Sequence, residues 1–246
     1  MRLTVVGCSG SMPSAESAAS CYLIEAEGYR LLLDLGNGAF GPLQRYINPT
    51  DVDAIVVSHL HGDHFLDLVP MTVALRFHAQ RRGRLVTLIA PEGVVSRLTA
   101  ASGEPPTDLS LTDVYVVQTP SDVRLGPFDL RFAEMNHSIA DYAVRIAHGE
   151  RSLVYSGDTA PCSQLTEFAR GADLALFEAG WPPGTKEDLG IHLTPGQAAI
   201  HARDAGVSRL ILTHLVPWTD RAAALAEAES VFAAVSLASA GDVVDL

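Results

Sequence analysis

Short runs of β-branched and aliphatic residues, bounded by Gly, Pro or Asp, recur from one end of this 246-residue sequence to the other. Each run has the length and composition of a β-strand. The predicted strands are Leu3–Val6, Cys21–Ile24, Arg30–Leu33, Ala54–Val57, Leu85–Ile89, Val114–Val117, Phe128–Phe132, Tyr142–Ile146, Ser152–Tyr155, Leu174–Phe177 and Arg209–Leu212. A chain with so many strands must bury them in sheets, and this requirement constrains its fold more than any other feature.

Helical stretches lie between the strands. They are predicted at Phe65–Phe77, Gly93–Ala101, Cys162–Arg170, Thr194–Ala205 and Asp220–Ala238. The strands come in two batches, each followed by helices, which predicts an α/β protein with an αββα sandwich: two mixed sheets face to face and helices on the outer faces. The sequence has no repeat and no long linker rich in Gly, Ser or Pro, so we predict one domain over residues 1–246.

The charge balance limits the class of partner. The formal net charge is −12, and Lys186 is the only lysine. Such a surface repels polyanions, so no large nucleic acid is expected as a partner unless a local basic patch exists. The apolar runs are too short to cross a membrane, and the N-terminus leads directly into a strand without an apolar signal core. We therefore expect a cytoplasmic protein with no membrane partner.

Four residues with metal-binding side chains follow one predicted strand within a few positions. The segment is Ala54-Ile55-Val56-Val57-Ser58-His59-Leu60-His61-Gly62-Asp63-His64. Polar groups at the end of an apolar strand are costly unless they are paired or ligated, which argues against an ordinary packing role. Neutral imidazole and carboxylate suit a divalent ion such as Zn²⁺, with Mn²⁺ or Fe²⁺ as substitutes. The motif therefore predicts a site with two neighbouring metal positions.

The pattern His-x-His-x-Asp-His after an apolar strand resembles the signature of the metallo-β-lactamase superfamily, whose members are αββα sandwiches with two metals at the edge of the sheets. The resemblance implies two divalent metal ions and seven ligands. The ligands are His59, His61 and His137 for one ion and Asp63, His64 and His214 for the other, with Asp158 shared. Such a metal pair lowers the pKa of a water molecule and stabilises both the attacking and the leaving oxygen.

Three of these ligands stand alone in the sequence and have ordinary structural explanations as well. His137 and His214 each follow a predicted strand, where a lone histidine is often a core residue. Asp158 follows a glycine and precedes a helix that it would cap. Their order and local context agree with the resemblance and favour ligation. Asp63 also has a second role open to it, as a catalytic base.

Three further segments resemble the ribonuclease Z branch of the superfamily, which contains phosphodiesterases. They are the Gly/Ser-Pro opening at residues 7–14, the strand end at residues 172–180 and the segment His192-Leu193-Thr194. The matching histidine of that branch protonates the leaving group, so the resemblance implies that His192 is catalytic. Thr194 and Pro195 also have the pattern of a helix start, and the two roles are compatible.

One departure from the branch concerns the substrate. The tRNA-processing members carry a long arm between the third ligand histidine and the bridging aspartate, whereas only two predicted strands and a short turn join His137 to Asp158 here. The resemblance then implies a metal-dependent phosphoric diester hydrolase for a small phosphodiester, first of all 3′,5′-cyclic AMP or another cyclic nucleotide. Two alternatives stay open: a ribonuclease Z-like endonuclease acting on RNA 3′ ends, and a thioester or lactone hydrolase. Pairing as a homodimer is implied by the same resemblance.

Two further groups of residues are candidates for substrate contact. The basic cluster between Arg76 and Arg84 is either a phosphate-binding patch or a solvated helix end. Trp181 and Trp218 flank the segments that hold His192 and His214. Each tryptophan is either a base-stacking residue or part of an ordinary loop.

Overall fold

The strands form two mixed sheets in the computed structural model, which describes residues 1–77, 86–103, 113–116, 122–186 and 190–246. The first sheet contains β1 Arg2–Ser9, β2 Ala18–Ala19, β3 Cys21–Ala26, β4 Tyr29–Leu33, β5 Ala54–Val56, β6 Thr87–Ala90, β7 Asp113–Val116 and β15 Val243–Asp245. The second contains β8 Asp122–Leu125, β9 Phe128–Glu134, β10 Tyr142–His148, β11 Arg151–Tyr155, β12 Leu174–Glu178, β13 Arg209–Thr213 and β14 Val235–Leu237. Every described strand therefore belongs to one of the two sheets.

Each sheet is antiparallel in one part and parallel in the other. The first has the order β15-β1-β3-β4-β5-β6-β7, with β2 beside β1, and is parallel from β4 to β7. The second has the order β14-β13-β12-β11-β10-β9-β8 and is parallel from β11 to β14. Because parallel strands end at the same edge, the loops after them lie side by side at that edge.

The main apolar core lies between the sheets. In β9, Phe128, Leu130 and Phe132 are buried and alternate with more exposed residues, so one face of this strand points into the core. These side chains belong to the same buried cluster as Tyr22 and Leu31 of the first sheet. Apolar contact across the two inner faces therefore holds the sheets together.

The helices cover the two outer faces. They are α1 Phe40–Leu43, α2 Gly62–Phe65, α3 Leu68–Phe77, α4 Val94–Ser102, α5 Ser163–Ala169, α6 Pro195–Ala205 and α7 Arg221–Glu229, with a 3₁₀ turn at Pro49–Asp51. The first four pack on the first sheet, and the last three pack on the second. None of the helices in the described ranges is both long and apolar enough to span a bilayer. The αββα sandwich predicted from the sequence is confirmed.

Two predicted helices have the wrong limits. The prediction Asp220–Ala238 extends too far, because α7 ends at Glu229 and Val235–Leu237 forms β14, which pairs with β13. The alanine-rich composition favours a helix there, but β-branched Val235 and pairing in the sheet prevail near its end. The prediction Phe65–Phe77 is interrupted, since α2 ends at Phe65 and α3 begins at Leu68. The short strands β2, β8, β14 and β15 were not predicted.

Candidate metal centre

The histidines and acidic residues singled out in the sequence meet at one edge of the sandwich. After β5 of the first sheet, a loop with His59 and His61 leads into α2, which carries Asp63 and His64. The second sheet contributes His137 after β9, Asp158 after β11 and His214 after β13. The topology therefore brings residues from distant parts of the chain to one place.

Three imidazole nitrogens converge in the first group of this centre. The Nε2 atom of His59 lies 3.0 Å from Nδ1 of His61, and Nε2 of His137 lies 3.2 Å from the same Nδ1. A tetrahedral Zn²⁺ with bonds of about 2.0–2.1 Å to nitrogen places its ligand atoms about 3.3 Å apart. The spacing of the three nitrogens thus fits a single divalent ion.

Two histidines and two carboxylates converge in the second group. His214 Nε2 lies 3.2 Å from His64 Nε2 and 3.0 Å from Asp63 Oδ2. Asp158 Oδ2 lies 3.4 Å from His64 Nε2 and 3.5 Å from His214 Nε2. These four side chains lie close enough together to hold a metal ion.

Asp158 lies between the two groups. Its Oδ2 atom is also 3.7 Å from His59 Nε2, so the carboxylate borders both positions. The other oxygen, Oδ1, is buried and accepts no hydrogen bond from the described part of the chain. A carboxylate in this environment requires positive charge nearby. The donor set of imidazole and carboxylate is one that Zn²⁺ prefers, so the residues fit a pair of divalent ions.

The two groups differ in their protonation. Burial, reinforced by His64, lowers the pKa of His59 to about 3. Burial, with His59 and His137, lowers the pKa of His61 to about 4. Both rings are neutral at pH 7 and keep the lone pair that a metal needs.

In the second group the charges are paired. Burial would raise the pKa of Asp158, but the neighbouring His214 and His64 hold it well below its usual range. Burial would also raise the pKa of Asp63, but hydrogen bonds from His214 and His64 hold this pKa below its usual range. Burial disfavours a charged His64, yet Asp158 and Asp34 raise its pKa well above the usual value. This position therefore attracts positive charge, whether a proton or a metal ion.

Asp34 fixes the orientation of His64. His64 Nδ1 donates to Asp34 Oδ2 at 2.8 Å, which leaves Nε2 directed at the second group. The same carboxylate accepts hydrogen bonds from the Ser58 amide at 2.7 Å and the Tyr155 hydroxyl at 2.7 Å. His137 is held in a similar way, because its Nδ1 lies 2.8 Å from the carbonyl oxygen of Ile191. Such outer contacts set which nitrogen of a histidine faces a metal.

His192 lies beside both groups and is paired with Glu178. Its Nδ1 atom is 3.0 Å from Glu178 Oε1 and 3.8 Å from Asp158 Oδ2. Burial would lower the pKa of His192, but the charge and hydrogen bond of Glu178 raise it to about 9. His192 therefore carries a proton near neutral pH.

Glu178, His192 and His214 also lie close enough together to hold a cation. The Glu178 carboxylate is already occupied, however: Oε1 accepts from the Thr159 amide at 2.9 Å, and Oε2 accepts from the Gly180 amide at 2.6 Å. A carboxylate that orients one histidine through such a network acts as its hydrogen-bond partner. Glu178 and His192 therefore form a hydrogen-bonded pair next to the two donor groups.

The structure brings together all the residues that the sequence predicted for the site. They are His59, His61, Asp63, His64, His137, Asp158, His192 and His214. Asp34, Asp141 and Glu178 belong to the same network, but sequence reasoning gave them no role. Each is a single acidic residue: Asp34 follows β4, Glu178 ends β12 and Asp141 precedes β10. Glu178 lies in the segment 172–180 that resembles the ribonuclease Z branch.

The candidates for substrate contact have different outcomes. Most of the basic cluster between Arg76 and Arg84 lies outside the described residues. Trp181 contacts His192 edge to face, with ring centroids 5.4 Å apart. Trp218 is 65% exposed. Thr194 caps α6 with a capping box to Gln197, as its position beside Pro195 predicted.

Comparison with known proteins identifies relatives over almost the whole chain. A model of the beta-lactamase superfamily domain matches residues 29–215. An uncharacterised protein of Mycobacterium tuberculosis is 39% identical over 238 residues, which cover 94% of this chain and 87% of that protein. A ribonuclease Z of Ignicoccus hospitalis is 29% identical, with 94% of this chain and 93% of that protein covered.

A third relative is the probable metallo-hydrolase YhfI of Bacillus subtilis, which is 28% identical over 244 residues, with 98% of each chain covered. The crystal structure of YhfI matches with a TM-score of 0.90 over 99% of this chain and 98% of that chain, at 27% identity. The arrangement of sheets and helices is thus shared from end to end.

Proposed function

Because the chain belongs to the beta-lactamase superfamily, as a metallo-hydrolase related to ribonuclease Z, we propose that it hydrolyses a small phosphodiester with two divalent cations. The first candidate substrate is 3′,5′-cyclic AMP or another cyclic nucleotide. The observation that carries this proposal is the convergence of two donor groups around Asp158, with the protonated His192 beside them.

The two cations bind to separate sets of donors that share one carboxylate. His59, His61 and His137 hold one cation, and Asp63, His64 and His214 hold the other, with Asp158 shared between them. Two such cations supply Lewis-acid activation of water and stabilise negative charge on the phosphoryl oxygens. Asp63 serves as a ligand in this assignment, since its Oδ2 faces both His64 and His214. The alternative role for Asp63, at the same place, is that of a catalytic base.

His192 supplies the proton in the proposed reaction. Hydrolysis of a phosphodiester expels an alkoxide, and this oxygen leaves more easily when it is protonated. Nδ1 of His192 is engaged by Glu178, so Nε2 is the nitrogen left to donate a proton. A pKa of about 9 keeps the ring protonated at pH 7. Trp181 packs edge-on against the ring and limits its movement.

Two observations support a small substrate. Strands β10 and β11 form a hairpin with Gly149 and Glu150 at its turn. This hairpin makes up most of the chain between His137 and Asp158, which is where an RNA-gripping arm would be inserted. The formal net charge of −12 disfavours a polyanion as large as tRNA. A small anion experiences mainly the local field of the metal positions.

The test is hydrolysis of 3′,5′-cyclic AMP by protein loaded with Zn²⁺, beside bis-p-nitrophenyl phosphate and a tRNA precursor. The Asp158→Ala variant is the matched control for contaminating activity. We expect turnover of the cyclic nucleotide and no cleavage of the tRNA. Cleavage of the tRNA precursor would favour the ribonuclease alternative, which the similarity to ribonuclease Z supports. If none of the three is cut while two ions are bound, the proposal is wrong, and thioesters and lactones become the next substrates.

Metal content and assembly are measured on the same sample. Elemental analysis of protein purified without added metal is expected to give two ions per chain, with Zn²⁺ preferred over Mn²⁺ and Fe²⁺ because of the imidazole-rich donor set. Sedimentation equilibrium tests the homodimer that the resemblance implies.

A further inference from the structure

Asp141 contacts two of the proposed donors, His59 and Asp158, without belonging to the donor set. It is the residue just before β10, at the end of the loop that follows His137. Its side chain is fully buried. A buried carboxylate outside a ligand set is costly, so its presence here indicates a role for its charge or its hydrogen bonds.

The carboxylate of Asp141 contacts one residue from each sheet. Its Oδ2 atom lies 2.7 Å from His59 Nδ1, the nitrogen that faces away from the first donor group. The same oxygen accepts a hydrogen bond from the backbone amide of Asp158 at 3.0 Å. One oxygen atom therefore connects a proposed ligand of the first ion with the proposed shared ligand.

The loop that carries Asp158 is built to approach Asp141 closely. Gly157 has a φ of +59°, in the left-handed region. A Cβ atom at this position would overlap Asp141 Oδ1, so a residue with a side chain would displace the carboxylate. The backbone of Asp141 is fixed as well, because its carbonyl oxygen accepts from the Met135 amide at 2.9 Å. Glycine is therefore required at position 157 both for its conformation and for its lack of a side chain.

We infer that Asp141 is a positioning residue. It holds His59 and Asp158 in the geometry in which His59 binds the first ion and Asp158 binds both ions. The hydrogen bond from His59 Nδ1 leaves the Nε2 lone pair directed at the ion, and the negative charge makes the imidazole a stronger donor. The contact with the Asp158 amide fixes the start of the loop that presents the shared carboxylate. The inference rests on the metal centre of the proposed function.

The charge of Asp141 gives the inference a distinctive consequence. Asp141 and Asp158 are two buried carboxylates in one network, and they repel each other when no cation is bound. Asparagine at position 141 keeps the size and one acceptor oxygen but removes the charge. An Asp141→Asn variant should therefore bind metal more weakly while its metal-free form is no less stable than the wild type. A residue with a merely structural role would lower stability and leave metal affinity unchanged.

The experiment measures Zn²⁺ affinity by competition with a chromophoric chelator for wild type, Asp141→Asn and Asp141→Ala. Asp129→Asn on β9, whose side chain is 71% exposed, is the control. We expect the Kd of Asp141→Asn to rise about 10–100-fold, the range for loss of an outer-shell partner, and that of Asp141→Ala to rise at least as much. Asp129→Asn should match the wild type.

Thermal unfolding of the metal-free proteins completes the test. The midpoint of Asp141→Asn is expected at or above that of the wild type. A Kd within about twofold of the wild type, or a lower midpoint at unchanged Kd, would overturn the positioning role alone. A wild-type protein that binds no divalent ion would instead overturn the proposed function on which the inference rests.

Discussion

The two sheets supply the site in opposite ways. The first sheet contributes Asp34 at the end of β4 and one short segment, Ser58 to His64, after β5. The second sheet contributes single residues from several separate strand ends, among them His137, Asp158 and His214. The first side of the site is set by local sequence, whereas the second exists only when the strands of the second sheet are in register.

Residue pairing between β11, β12 and β13 sets the register of the strands that carry the second side of the site. Leu153 of β11 pairs with Leu174 of β12, and Leu174 pairs with Arg209 of β13. A slip by one residue would turn every side chain of a strand to the opposite face. The second side therefore depends on the packing of the whole sheet, and a mutation there is expected to affect both halves of the centre.

Asp158→Ala is expected to have the largest effect on metal binding and activity, because Asp158 comes from the second sheet but borders both donor groups. We expect loss of both bound ions and of all measurable hydrolysis, since the variant leaves the His59 and His64 groups without a shared anion. Elemental analysis and turnover of the cyclic nucleotide measure the two effects. Full activity in this variant would contradict the assignment of Asp158, while Asp129→Ala should behave like the wild type.

His192→Ala tests whether the proton donor is separable from the metal positions. We expect metal content to stay at the wild-type level while kcat falls about 10²–10⁴-fold, the range for loss of a general acid. Unchanged turnover would reduce His192 to a residue at the start of a helix.

Glu178→Gln tests, through the pH dependence of turnover, whether Glu178 sets the pKa of His192. The pKa of His192 is raised to about 9, so the acid form is present below that pH and is lost as pH rises through it. Wild-type activity should fall on this alkaline side. Without the negative charge of Glu178 the pKa of His192 drops, so the alkaline limb of Glu178→Gln should lie at lower pH. An unshifted pH–rate profile would show that Glu178 does not tune His192.

His64→Ala and His61→Ala compare two residues of one segment. His64 is fully buried and paired with Asp34, whereas His61 is partly exposed. Removing His64 leaves the Asp34 carboxylate buried without its cation, which costs about 3 kcal/mol of stability or more. His61→Ala should change the free energy of unfolding by less than about 1 kcal/mol. Urea unfolding at pH 7 with a chelator present measures both, and equal losses would contradict the difference in burial.

The smallest effect on stability and turnover is expected for His148→Ala, at the end of the sandwich opposite to the site. His148 Nε2 lies 3.1 Å from Glu27 Oε1 in a contact between the sheets, and the Glu27 side chain is 71% exposed. Such a pair contributes about 0.5 kcal/mol or less because solvent screens it. His148→Ala should therefore leave both the unfolding free energy and the turnover near wild type. A large loss of activity would show that the two ends of the sandwich are coupled.

The contrast between the sheets also explains what the sequence could predict. The His59–His64 segment was identified directly because its ligand-type residues are adjacent. His137, Asp158 and His214 needed the resemblance, since each is a lone residue. Asp141 received no role because nothing local marks a carboxylate that acts through space on His59 and Asp158. Helix α7 was predicted too long because pairing with β13, which local composition does not encode, determines the conformation of Val235–Leu237.

Backbone conformation at the site has a consequence for how this protein can evolve. Among the described non-glycine residues with positive φ are Asp34 and His214, both at 57°. Holding such residues in the left-handed region costs on the order of 1 kcal/mol each. Glycine would relieve that cost at either position, but it would also remove the partner of His64 or a proposed ligand. At Asp34 this gain is smaller than the loss of the buried hydrogen bonds from Ser58, His64 and Tyr155. Adaptation to higher temperature must therefore proceed through residues remote from these two turns.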